Sequence, residues 1–98
     1  MKYPTIKLKI LHYIRTNTDE KRLVSYSDIC SNICDTTDAY IAIALTRLVK
    51  ENIVFHTGNI RGYEYGITIK GLELLKAYEN KQEISKLTLL LKQIARLP

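Results

Sequence analysis

A mainly α fold with a small β-hairpin, of the α+β class, is what this sequence predicts. Three observations predict it. Two capped amphipathic helical segments follow one another closely between Ser25 and Ile53. Two alternating β-branched and aromatic runs, split by a glycine-containing tip, fill Ile53 to Gly71. A long final stretch places leucine and isoleucine at the three-and-four spacing of a helix.

Each element has a local reason. Pro4 suits the first turn of a helix, because its missing N–H is not needed there. Ile6, Ile10, Tyr13 and Ile14 continue at helical spacing with Leu11 beside them, and Lys7, Lys9 and Arg15 take the outer face. Asn17 to Arg22 is a polar connector. Leu23-Val24 is an apolar pair able to add a third strand beside the hairpin. Ser25-Tyr26-Ser27-Asp28 resembles a capping box, with a hydroxyl at the cap and an acid three residues on. The second helix then runs to about Ile33, with Ile29, Cys30 and Ile33 inward.

Asp35-Thr36-Thr37-Asp38 supplies the next cap, since either side chain type accepts from the orphan N–H groups of a new helix. The third helix spans residues 37–50. Ile41, Leu45 and Leu48 define its buried side, which turns Ala39, Ile43, Thr46 and Lys50 outward, flanked by Tyr40 and Arg47. Glu51-Asn52 ends it. Ile53 to Thr57 and Tyr63 to Ile67 are the hairpin strands, and Gly58 to Gly62 is the tip. Thr68 caps the last helical region, where Ile69, Leu72, Leu75 and Tyr78 recur at spacing three. Glu79 to Glu83 interrupts the apolar stripe, which resumes with Ile84, Leu87, Leu91 and Ile94, widened by Leu90 and Leu97. That is coiled-coil spacing over two heptads.

At 98 residues the chain fits one domain with a small core. Its net charge is +5 and its pI about 9.3. The excess is uneven: residues 1–24 carry six bases against two acids, whereas residues 25–40 carry Asp28, Asp35 and Asp38 and no base. A basic protein with one negative patch favours nucleic acid without being a uniform polyanion binder. No apolar run approaches the roughly 18 residues of a membrane span. Met1-Lys2-Tyr3-Pro4 offers no signal-peptide core, so no membrane association and a cytoplasmic, nucleoid-associated location are expected.

Cys30 and Cys34 fall four apart on the second predicted helix, where β-carbons sit about 5–6 Å apart. A disulfide wants roughly 3.5–4.5 Å. A metal would need further ligands, and His12 and His56 lie on distant segments. Two half-buried free thiols are expected, with no metal and no cofactor. No catalytic residue is assigned either: neither histidine has a partner in a recognisable triad order, and no phosphate-binding glycine loop occurs.

The third-helix pattern Ala44-Leu45-Thr46-Arg47-Leu48, followed by Asn52 and the apolar Ile53-Val54, resembles the winged helix-turn-helix superfamily. So does the second hairpin strand closing into Thr68-Ile69-Lys70-Gly71. The layout is most similar to small archaeal winged-helix DNA-binding proteins that dimerise through a C-terminal helix. The resemblance covers roughly residues 5 to 78, and two departures from its pattern are present. No glycine occurs between Asp28 and Ile53, and Ala39, Ala42 and Ile43 stand where relatives often carry polar reading groups.

The resemblance implies a winged helix-turn-helix over residues 1–78 followed by a C-terminal dimerisation helix over residues 79–98, in one compact unit. It implies a homodimer that binds double-stranded DNA as a transcriptional regulator or nucleoid-type protein. Residues 37–50 become the recognition helix and residues 53–67 the wing. The expected DNA-binding set is Ser25, Tyr26, Thr37, Tyr40, Ile43, Thr46, Arg47, Lys50, His56, Asn59 and Arg61. The expected dimer contacts are Ile84, Leu87, Leu90, Leu91, Ile94 and Leu97, with folding back onto the first helix as the competing arrangement. Because the third helix carries few groups that report base identity, phosphate positioning is expected to outweigh base readout. The alternative is a protein–protein interaction module on the same scaffold, using the exposed Ala39, Tyr40 and Ile43 as a contact patch.

Overall fold

The structure is a computed structural model and describes residues 3–18, 22–58 and 62–95, with side-chain surroundings given as far as residue 93. Helix α1 (Ile6–Asn17) starts at Thr5, whose hydroxyl accepts the Leu8 N–H at 3.2 Å. It buries Ile10, Leu11 and Ile14. Strand β1 (Val24–Ser25) leads directly into α2 (Tyr26–Asn32). Ser25 is both the last strand residue and the helix cap, accepting from the Asp28 N–H at 3.1 Å.

Helix α3 (Asp38–Lys50) is capped by Thr37, which accepts from the Tyr40 N–H at 3.2 Å. Its buried residues are Ile41, Leu45 and Leu48. It ends in a Schellman turn. Asn52 takes φ 63°, a left-handed conformation that asparagine tolerates better than most residues. The Ile53 N–H then donates to Leu48 O at 2.9 Å and the Asn52 N–H to Val49 O at 3.0 Å. The chain is thereby turned straight into the next strand.

Strands β2 (Val54–Thr57) and β3 (Glu64–Ile67) form the hairpin, and β1 pairs with β3 on its other side, giving the antiparallel order β1-β3-β2. The register sets Val54 opposite Ile67, His56 opposite Tyr65 and Val24 opposite Tyr65. Val54, Tyr65 and Val24 therefore share the inner face and join the core. The third strand foreseen at Leu23-Val24 is realised one residue later.

Helix α4 (Ile69–Ala95) is anchored at its start. The Thr68 hydroxyl lies 2.7 and 2.8 Å from the carbonyl oxygens of Asn52 and Ile53 and accepts the Gly71 N–H at 3.1 Å. Gly71 is required by close approach: a β-carbon there would fall 2.3 Å from the Ile53 carbonyl oxygen. Leu75 is fully buried. Arg15 of α1 pairs with Glu79, and Tyr3, just before α1, packs against Tyr78 at 5.8 Å between ring centres, so the N-terminal part of the chain holds α4 as far as residue 79.

The structure decides two open points of the sequence reading and changes a third. The polar stretch Glu79 to Glu83 interrupts the apolar stripe but not the helix, which is continuous for 27 residues. Intrahelical hydrogen bonds and good helix formers carry it across. Leu87, Leu90 and Leu91 do not fold back on α1; they are more than half exposed. Cys34 is not on α2, because Ile33 leaves helical geometry at φ −115°, ψ 93°. Cys30 is half-buried and Cys34 exposed, and both are free. Among the described residues no helix is long and apolar enough to cross a membrane.

Candidate nucleic-acid interface

The surface of α3 opposite its core stripe stands as a ridge. Tyr40 and Ile43 are each 53% exposed, and Thr46, Arg47 and Lys50 are exposed beside them. A groove flanks the ridge on either side. The α1-side groove encloses about 240 Å³ and is lined by Tyr40, Ile43, Arg47, Lys7 and Glu51 among others. The wing-side groove encloses about 230 Å³ between Leu45, Thr46 and Val49 of α3 and His56, Tyr63 and Tyr65 of the hairpin.

The two grooves differ in charge. On the α1 side, Lys7 pairs with Glu51 at 3.0 Å, while Arg47 makes no ion pair among the described residues. Arg47 and Lys50 occupy the last turn of α3, where positive charge also suits the helix dipole. Among the described residues, the wing-side lining contains no carboxylate, lysine or arginine, and His56 is its one imidazole. His56 meets Tyr63 edge-on, with ring centres 4.9 Å apart and an 82° interplanar angle.

The start of α3 is tied down by Tyr26. Its hydroxyl donates to the Asp38 carbonyl at 2.7 Å, and its N–H donates to the Tyr63 carbonyl at 3.3 Å. One residue thereby links α2, the entrance of α3 and the hairpin. The phenol is pushed up to about 12, first by a hydrogen bond with the Cys30 thiol and then by its removal from water. The thiol itself is raised by burial. Neither group is primed for nucleophilic chemistry, which requires the ionised form.

The expected DNA-binding residues fall into separate groups in the structure. Tyr40, Ile43, Thr46, Arg47 and Lys50 share the ridge, and His56 faces Thr46 across the wing-side groove. Ser25, Tyr26 and Thr37 sit at helix starts with capping or tethering bonds inside the chain. The Thr46 hydroxyl donates to Ala42 O at 2.8 Å and keeps only its lone pairs for a partner. Asn59, Arg61 and Leu97 lie outside the described residues, as does the Ile94 side chain. Ile84, Leu87, Leu90 and Leu91 are 63%, 59%, 54% and 64% exposed on α4.

The basic excess of residues 1–24 is partly consumed internally. Lys7, Lys9 and Arg15 pair with Glu51, Asp35 and Glu79. Asp35, part of the negative patch, is thus neutralised by α1. One residue with the exposure and placement of a contact escaped the sequence reading. Tyr63 is 51% exposed at the mouth of the wing-side groove. Its two-residue spacing from Tyr65 marked their shared face, but not what that face opposes.

No family model matches the sequence, and no curated protein matches it. Solved structures do. MepR, a transcription regulator of the Staphylococcus aureus multidrug efflux pump MepA, aligns at TM-score 0.73 and 16% identity, over 88% of this chain and 62% of its own. A MepR point mutant bound to an oligodeoxyribonucleotide gives TM-score 0.75 and 17% identity, over 94% and 64%. A protein of Archaeoglobus fulgidus gives TM-score 0.71 and 17% identity, over 85% and 90%. A possible HxlR family transcriptional factor from Thermoplasma volcanium gives TM-score 0.63 and 17% identity, over 87% and 75%.

The fold is a winged helix. At these identities the likeness carries the fold and nothing finer. The chain spans less than two thirds of MepR's length. In winged-helix terms, α2 and α3 are the helix-turn-helix, β2 and β3 the wing, and α4 the trailing helix.

Proposed function

We propose that this chain is a homodimeric, double-stranded-DNA-binding protein of the transcription-regulator or nucleoid kind, working in the cytoplasm without catalysing a reaction. The observation that carries the reading is the α3 ridge, exposed between two grooves and bearing Tyr40, Ile43, Thr46, Arg47 and Lys50. A ridge of this form suits a major groove about 12 Å wide, whose sugar–phosphate walls would enter the flanking grooves. Arg47 and Lys50 supply the cations. Ile43 offers an apolar contact of the kind that meets a thymine methyl. The wing, residues 53–67, reaches the adjoining backbone with Asn59 and Arg61 in its tip.

Residues 1–78 form the DNA-binding unit and residues 79–98 the pairing helix. Ile84, Leu87, Leu90 and Leu91 of α4 pack against a second copy, with Ile94 and Leu97 extending the stripe. Exposed leucines in this number are a cost in water that pairing removes.

Titration of a random-sequence duplex at several salt concentrations tests the reading. Wild type binds more tightly at low salt. Lys50→Ala weakens binding to every sequence alike and flattens the log–log salt slope by about 0.9 for the lost phosphate contact. Arg47→Ala separates base from phosphate contact, because a bidentate guanine contact carries about 1–3 kcal/mol of discrimination. No binding even at low salt would sink the reading and leave Tyr40 and Ile43 as a protein-contact patch.

A further inference from the structure

The two grooves beside α3 are alike in size and unlike in chemistry. On the α1 side stand Lys7, Glu51 and an Arg47 that no described acid neutralises. On the wing side the described lining holds Leu45, Thr46, Val49, His56, Tyr63 and Tyr65, with no carboxylate and no lysine or arginine among these described residues. A phosphate wall entering that groove meets no repelling acid. It finds neutral donors instead.

Tyr63 is the strongest of these. The residue is 51% exposed, yet its ring is restrained. His56 contacts it edge-on at 4.9 Å between ring centres, and Tyr65 lies 6.5 Å away. Its own carbonyl accepts the Tyr26 N–H, the same residue that holds the start of α3. Its hydroxyl makes no hydrogen bond with another described residue. A restrained phenol loses little rotamer entropy when it contacts a ligand. Thr46, across the groove, has already spent its proton on Ala42.

We infer that the wing-side groove grips one sugar–phosphate strand of duplex DNA through neutral contacts, with the Tyr63 hydroxyl donating to a phosphate oxygen and His56 bracing the ring. The inference rests on the DNA-binding reading above and adds a contact residue to it. It divides labour across α3: cationic contact on the α1 side, uncharged contact on the wing side. Neutral side chains are ordinary phosphate donors. They release no counterion of their own, so the two sides carry different salt signatures.

Tyr63→Phe is the test, set beside Lys50→Ala and wild type on one random-sequence duplex over a salt series. The substitution removes a single oxygen and keeps the ring, and its melting temperature is measured alongside. Expected for Tyr63→Phe is binding about tenfold weaker at every salt, on a line parallel to wild type, the scale of one hydrogen bond to a charged acceptor. Lys50→Ala, which loses a cationic phosphate contact, instead gives a flatter line. Wild-type binding with an unchanged Tyr63→Phe overturns this inference alone, as does a Tyr63→Phe line as flat as that of Lys50→Ala. A wild type that binds no DNA at low salt overturns the DNA reading and this inference together.

Discussion

Leu75 and Leu87 lie on one unbroken helix, less than four turns apart, and meet opposite fates. Leu75 is fully buried under α1 and the sheet; Leu87 is 59% exposed. The residue type and backbone are the same. What differs is whether a second layer is present. The body of the domain supplies one up to residue 79, where Arg15 and Glu79 pair. Beyond it, Ile84, Leu87, Leu90 and Leu91 face solvent. An apolar stripe thus specifies that something should cover it, and the rest of the chain decides whether the cover is internal.

The largest effect should come from the internal half. Leu75→Ala is expected to destabilise the fold by roughly 2–5 kcal/mol, the cost of lost burial plus a cavity. Chemical denaturation measures it. If the proposed pairing is right, Leu87→Ala behaves differently, with a stability loss that depends on protein concentration. A concentration-independent loss would mean that Leu87 is buried within its own chain.

Next is the pairing itself. Leu87→Asp combined with Leu91→Asp should give monomers by sedimentation, because each leucine contributes roughly 1.5–3 kcal/mol of burial to the proposed interface. A double mutant that stays dimeric places the interface elsewhere.

The boundary between the halves is pH-dependent. Arg15 holds the Glu79 carboxyl below the ordinary carboxylate range, through their hydrogen bond first. A carboxylate with a depressed folded pKa stabilises the fold above its unfolded value, about 4.3. That contribution disappears as pH falls through the depressed value. Glu79→Gln should therefore remove part of the acid-side loss of stability, at most about 1 kcal/mol for a surface pair. Equal acid profiles for wild type and Glu79→Gln would show that the pair contributes nothing to joining α4 to the body.

The cysteines repeat the comparison in miniature and give the smallest effects. Cys30 is half-buried against the core, and Cys34 is exposed past the end of α2. Cys34→Ala should stay within about 0.5 kcal/mol of wild type, as surface changes do. Cys30→Ala should cost more, through lost packing and the lost Tyr26 contact. If the proposed DNA binding is right, the double variant retains it. A folded double variant that does not bind would reveal a redox or metal role.

Much of the candidate site was legible because its causes are local. Thr37 and Ser25 announce helix starts through side chains that reach only three residues along. Ile41, Leu45 and Leu48 determine which side of α3 is buried, and so that Tyr40, Ile43 and Arg47 are not. The wing-side groove was not legible. Tyr63 and Thr46 come together only because β3 is central in the sheet and the hairpin leans on α3. Nor was the internal use of charge: Lys7 and Glu51 are 44 residues apart and pair only when α1 crosses the end of α3.

By itself, then, the sequence determined what depends on neighbours within a turn or a hairpin: caps, periodicities, the Asn52 stop and the strand alternation. Local hydrogen-bond geometry and side-chain period need no distant partner to be read. Tertiary structure alone decided which stripe found a cover. It also decided which basic residues of α1 were spent on ion pairs, that Cys34 lies beyond its helix, and that two grooves of different chemistry flank α3. Those outcomes depend on contacts between residues far apart in the chain, where spacing carries no information about which surfaces will meet.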